Sequence, residues 1–224
     1  MRKNFASVIF YSFYILEGNY IEFRRTLDAY MKEANSDNCL ADNGKHISLH
    51  INGGREIGRR IHNYAAAWLS LVDHTRIISK KLTISSIDYI QAFAVEYEAK
   101  KNECLKDNFE NLFIKDLRRY VQHKKVPVPT LQFKINSVQI GFLFEFNSNE
   151  IENFDWNSKV KTYIKSRSSV PISEIIDKHF FVMKEFYLWI EFREIQLDPY
   201  APTELRETTF EIWKQQRFIK SDHS

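Results

Sequence analysis

The sequence predicts a mainly α fold: a multi-helix bundle carrying one inserted short strand and a β-hairpin near 130–146. Three observations point there. Glycine occurs only 6 times in 224 residues, so tight turns and glycine-rich phosphate loops are few, which disfavours a nucleotide-binding α/β sheet. Long proline-free stretches repeat apolar residues at steps of three and four, the spacing of one helical face. Between 130 and 146 the period becomes two, with TLQFKIN and VQIGFLFEF on either side of Asn136 and Ser137, the pattern of paired strands.

Taken in order, the N-terminal MRKNFASVIFYSFYILEG has a basic start and an apolar stretch from Phe5 to Leu16. It imitates a secretory leader poorly. Serines interrupt it, aromatics crowd it, no small-x-small cleavage site follows, and it is too short to span a bilayer. It reads as a core segment. From Asn19 to Ala34, Ile21, Leu27, Tyr30 and Met31 recur about a turn apart between charges, an amphipathic helix. The polar run NSDNCLADNG breaks that pattern, and HISLHI at 46–51 alternates like a short strand before Gly53 and Gly54.

After the glycines, Ile57, Ile61, Tyr64, Trp68, Leu71 and Ile78 form the clearest apolar stripe in the chain. A third helix starts at Ser85 or Ser86, whose hydroxyls suit an N-cap. A fourth runs from about Lys106 and ends before Pro127, because proline disfavours a helical residue in front of it. Helical spacing returns at 155–167 and after Pro171, which suits a first helical turn. A last helix opens with Thr203 as its cap residue. The organisation is therefore a helical core over 1–126, a hairpin over 127–150 and C-terminal helices over 151–224 packed back on the core, read as one domain overall.

Composition narrows the function classes. Hydrophobic residues at 44% beside 27% charged residues describe a soluble globular chain, neither disordered nor membrane-embedded. The net charge of +3 and pI near 8.7 suit a polyanionic partner without demanding one. Cys39 and Cys104 are far apart and outside any metal-ligand spacing, so reduced thiols and a cytoplasmic location are expected. No cofactor motif is present.

Candidate chemistry is sparse. His62, Asp73 and His74 share the long helix, but neighbours on a helix diverge by about 100°, and a di-iron bundle would need Glu-x-x-His pairs. They read as surface polar residues. His46 and His50 lie on one face, yet two ligands without a third make a weak zinc site. No metal site is expected.

The stretch LRRYVQHKKVP from Leu117 to Pro127 is different. Arg119 and His123 are four apart and share a helical face, while Arg118, five from His123, is rotated from it by about 140°. The helix end favours imidazolium, and Arg118, Arg119, Lys124 and Lys125 oppose it. An imidazole so placed can both take and give a proton. The chemistry it suits is RNA scission without metal: the ribose 2′-OH attacks its own phosphodiester while an arginine stabilises the developing charge. DNA lacks that hydroxyl, so the mechanism selects RNA.

Arg118-Arg-Tyr-Val-Gln-His123, an Arg-x4-His motif at the end of a helix in a helical domain, resembles the HEPN superfamily of helical ribonuclease and nucleotide-binding domains. The resemblance covers these six residues and the helical context from about 19 to 126. It implies Arg118 as transition-state stabiliser, His123 as acid/base and Arg119, Lys124 and Lys125 as substrate-binding groups. It also implies pairing into a homodimer, RNA as substrate, and a role in toxin–antitoxin or phage-defence biology with an antitoxin protein as a further partner. The alternative is a non-catalytic helical module binding RNA, nucleotide or protein, for which the aromatic-rich HFFVMKEFYLWIEF supplies a core helix or an interface.

Overall fold

The structure, a computed structural model, describes residues 5–84, 88–135, 140–198 and 200–221. Helix α1 spans Phe5–Ala34, a short α2 spans Asp37–Leu40, and α3 runs over 41 residues, Asn43–Thr83. The apolar N-terminal stretch and the helix beginning near Asn19 are thus one continuous element. Its inward stripe is Ile9, Leu16, Phe23, Leu27 and Ala34, and it lies along the stripe of α3 formed by Ile57, Ile61, Tyr64, Trp68, Leu71 and Ile78.

The strand expected at 46–51 is helix. Asp42 starts it, its Oδ1 accepting the backbone N–H groups of Gly44 at 2.9 Å and Lys45 at 3.1 Å, which satisfies donors that a helix start leaves unpaired. Alternation misled because only Leu49 of HISLHI is buried, while Ile47 and Ile51 stay exposed. Gly53 and Gly54 therefore lie inside a helix, where a glycine is unfavourable, and packing explains them. A Cβ on Gly54 would stand 2.5 Å from the carbonyl oxygen of Pro129, and one on Gly53 would stand 2.9 Å from the Phe144 ring. Gly58 meets Pro127 O at 3.1 Å in the same way. The glycines let the segment after the fourth helix run against α3.

Helix α4 (Asp88–Lys101) passes through one π-helical turn, Asn102–Lys106, into α5 (Phe109–His123). The caps expected at Ser85 and Ser86 lie outside the described residues, as does the turn at Asn136 and Ser137. The hairpin pairs β1 (Thr130–Ile135) antiparallel with β2 (Ile140–Asn147), with Leu131 opposite Phe144 and Phe133 opposite Phe142. A two-residue β3 (Ser169–Val170) adds to the other side of β2, giving the order β1-β2-β3. Phe144 and Phe146 face the core, whereas Phe133 is exposed. Phe133 lies on the same face, opposite Phe142 and beyond the part that the core covers, while Glu145 on the other face is buried as well.

Helix α6 (Ser148–Ile151), α7 (Ser158–Lys165) and the long α8 (Ile172–Leu197) follow. Pro171 sits at the residue before α8 rather than inside its first turn. The last predicted helix is two pieces, α9 (Thr203–Glu207) and α10 (Phe210–Ser221). Pro202, not Thr203, occupies the cap of α9, and Thr209 accepts from Ile212 N–H at the start of α10. One hydrophobic core joins α1, α3, α5, the hairpin, α7 and most of α8. Leu188, Phe192 and Trp213 form a smaller second cluster. Among the described residues, no helix is long and apolar enough to cross a membrane.

Candidate functional site

Helix α5 carries the candidate residues because its opposite face is firmly docked. Asn108 caps it by accepting Asn111 N–H at 2.8 Å, and Phe113, Ile114, Leu117 and Tyr120 are buried. The Tyr120 ring stacks on Trp156 at 5.6 Å, and its hydroxyl donates to Glu150 O at 3.2 Å. Trp156 in turn donates from Nε1 to Ile151 O at 2.6 Å. Buried Asp116 accepts the Asn157 backbone N–H and Arg119 Nη1, the latter at 3.2 Å. A nearly buried carboxylate (3% exposed) is tolerated because both partners satisfy it.

These contacts separate the two arginines. Arg119 donates to Asp155 through both its carbonyl, at 3.2 Å, and its carboxylate, at 3.1 Å, and lies over the Phe154 ring. Hydrogen bonds to Asp155 and then Asp116 strengthen its hold on its proton. The residue expected to clamp substrate is committed inside the chain. Arg118 is half-buried, and its Nε is shielded from solvent with no hydrogen-bond partner. An unpaired buried donor of this kind costs about 1–3 kcal/mol.

His123 ends α5 and is exposed, as is Lys124, whose backbone N–H closes the helix onto Tyr120 O at 2.9 Å. Lys125 is exposed 3.8 Å from Glu150. The chain then leaves as the extended segment Val126–Pro129, held against Gly54 and Gly58 of α3. The histidine thus stands at a braced helix end open to solvent.

Among the described residues, His46, His50 and His74 join elements of the fold. His46 packs its ring edge on Phe142 at 4.6 Å, and His50 Nδ1 accepts Leu131 N–H at 3.2 Å, so the pair anchors the hairpin to α3. His74 Nδ1 and Ser12 Oγ are hydrogen-bonded at 2.6 Å, joining α3 to α1, while Asp73 pairs with Arg76. His62 is half-buried, with Nδ1 3.3 Å from Asn63 Oδ1. Among the described residues no group of three histidine, cysteine or acidic side chains is arranged to hold a metal.

Two buried polar clusters escaped the sequence reading. Tyr64 of α3 and His179 of α8 share a 2.7 Å hydrogen bond in the core, and burial lowers the imidazole from 6.5 to about 3. Glu145 on β2 is buried with Lys134 of β1 and Ser169 of β3, tying the three strands together. The Tyr64–His179 and Glu145–Ser169 pairs are 115 and 24 residues apart, so no local spacing announces them. No protein-family model, curated protein or solved structure matches the chain.

Proposed function

We propose that this protein is a metal-independent endoribonuclease of the HEPN type, with His123 as acid/base and Arg118 as the group that stabilises the transition state. One observation carries the reading: on the same helix, an exposed histidine follows an arginine whose Nε is buried and unpaired. The 2′-OH loses its proton to an imidazole, its oxygen attacks phosphorus, and the 5′-oxygen leaves with a proton from a second group. The products are a 2′,3′-cyclic phosphate and a 5′-hydroxyl end. Arg118 meets the additional negative charge with a permanently charged, forked donor set.

A homodimer would supply the second imidazole from the other copy's His123. Lys124 and Lys125 hold the flanking phosphates, a screened attraction that weakens with salt. Arg119 serves by bracing α5 through Asp116 and Asp155 rather than by clamping substrate. Cytoplasmic action in toxin–antitoxin or phage-defence biology, with an antitoxin protein as partner, belongs to the same proposal.

The test is RNA cleavage by purified protein in EDTA, with the ends of the products identified. Cyclic-phosphate products that vanish in Arg118→Ala and in His123→Ala, with the far-ultraviolet spectrum unchanged, support the assignment. Undiminished cleavage in His123→Ala refutes it. RNA binding with a steep salt dependence and no cleavage favours a non-catalytic binding module instead.

A further inference from the structure

Helix α7 and the turn after it concentrate the positive charge of the chain. From Trp156 to Ser173 the sequence holds Lys159, Lys161, Lys165 and Arg167 and no aspartate or glutamate. These four cations exceed the +3 carried by the whole chain, so the rest of the molecule is close to neutral. All four are exposed, because Val160 and Ile164 take the buried face of α7. Lys159 is 3.9 Å from Asp107. Among the described residues neither Lys161 nor Lys165 forms an ion pair. Arg167 lies 3.6 Å from the centroid of the Tyr163 ring, which holds it at the end of the helix.

Helix stability does not ask for this pattern. Lys159 and Lys161 stand in the first turn of α7, where the positive end of the dipole disfavours a cation, and no acid stands there to balance them. Lys165, in the last turn, is where the dipole favours one. Nor does α7 suit a lipid surface, because its apolar side is already packed into the core and none is left to enter a membrane.

The placement of α7 ties this charge to the candidate site. Asn157, which caps the helix, gives its backbone N–H to Asp116 of α5, and Asp155, two residues earlier, holds Arg119. At the other end Tyr163 meets Phe109, the first residue of α5, at 4.7 Å. The two helices therefore lie side by side in opposite directions, with α7 leading from the level of Arg119 away from His123. Along α5, His123 and Phe109 are about 21 Å apart. Lys124 and Lys125 lie past His123 in the other direction, so cations stand on both sides of the histidine. We infer that α7 is a second hold for the RNA strand: phosphates on one side of the scissile bond lie over Lys161, Lys165 and Arg167, and those on the other side lie at Lys124 and Lys125. The inference rests on the proposed reading in taking RNA as the polyanion and His123 as the point of cleavage.

Titration of His123→Ala protein with a single-stranded RNA of about 20 nucleotides, repeated over a salt series, tests the hold apart from cleavage. Each phosphate contact on a single strand adds about 0.7 to the slope of log affinity against log salt. Adding Lys161→Gln and Lys165→Gln is expected to lower that slope by about 1.4, and the affinity by about tenfold near 0.1 M salt, with the far-ultraviolet spectrum unchanged. The same two changes at exposed Lys80 and Lys81 of α3 are expected to alter neither. In a chain that keeps His123, the α7 double variant is expected to cut the long RNA with kcat/KM about tenfold lower, and a dinucleotide at the wild-type rate. An unchanged salt slope, an equal loss from the Lys80 and Lys81 pair, or a matching loss on the dinucleotide overturns the inference. RNA binding whose slope falls in the α7 variant while no form of the protein cleaves supports the hold and refutes the ribonuclease reading instead. Wild-type protein that binds anionic vesicles but not RNA, and loses that binding in the α7 variant, overturns the inference in favour of a lipid surface.

Discussion

His123 at the end of α5 and His179 in the middle of α8 carry the same side chain in opposite surroundings. His123 is exposed beside Lys124, on a helix whose other face is locked by Tyr120, Trp156 and Asp116. His179 is fully buried, bonded to Tyr64 and edge-on to Trp68 at 6.1 Å. Desolvation keeps it neutral far below the ordinary imidazole range. The first is open to solvent; the second cannot take up a proton without opening the core. Accessibility, rather than the presence of a polar partner, separates a histidine that a substrate could reach from a packing one.

The largest expected effect is on the working side. His123→Ala should lower RNA cleavage by about 10²–10⁴-fold, the usual contribution of a proton-transfer group, while thermal stability moves by less than about 0.5 kcal/mol, as for other surface changes. Measuring initial rates and melting curves on one preparation checks both halves. An equal loss of stability would mean that the residue is structural and would break the contrast.

His179→Ala should do the reverse. It leaves a cavity and an unpaired Tyr64 hydroxyl, costing about 3–5 kcal/mol and lowering the melting temperature by roughly 10 °C, with cleavage per folded molecule retained below the transition. Next in size is Gly54→Val, whose Cβ would need the Pro129 carbonyl to move. A loss of about 1–3 kcal/mol in a denaturant titration is expected from such overpacking.

A pH series sharpens the same comparison. His179 titrates near 6.5 when unfolded but is lowered to about 3 when folded, so between those values the unfolded chain binds the extra proton. Folding stability from this group is therefore fully present above pH 6.5 and falls as the pH drops towards 3, by up to roughly 1.4 kcal/mol per pH unit. His179→Gln should flatten that slope in urea titrations over this window, and His123→Gln should leave it intact.

The smallest effect is expected from Arg119→Ala. It loosens the contact with Asp155 but leaves Arg118 and His123 in place, so cleavage should fall far less than in Arg118→Ala. A loss equal to that of Arg118→Ala would restore Arg119 as a group that touches substrate.

Much of the fold was legible in the chain. The stripe from Ile57 to Ile78, the stop before Pro127, and the change of period at 130 each follow from local spacing, and the corresponding helix, exit and hairpin are present. HISLHI misled because alternation over six residues fits a strand and a helix equally well when most of its apolar residues remain exposed. The Asp42 cap and the passage of Pro127 and Pro129 beside the α3 glycines decided for helix.

The candidate site divides in the same way. Residue types and spacing alone singled out Arg118, Arg119 and His123, and placed His123 at a helix end. That Arg119 is committed while the Nε of Arg118 is unpaired depends on Asp155 and Asp116, one of them 36 residues away along the chain. The Tyr64–His179 pair is 115 residues apart. Local periodicity is written in the backbone's own repeat, so a sequence reveals it directly. The partners that fix a side chain's charge and freedom come from distant segments, and only the packed chain brings them within hydrogen-bond reach.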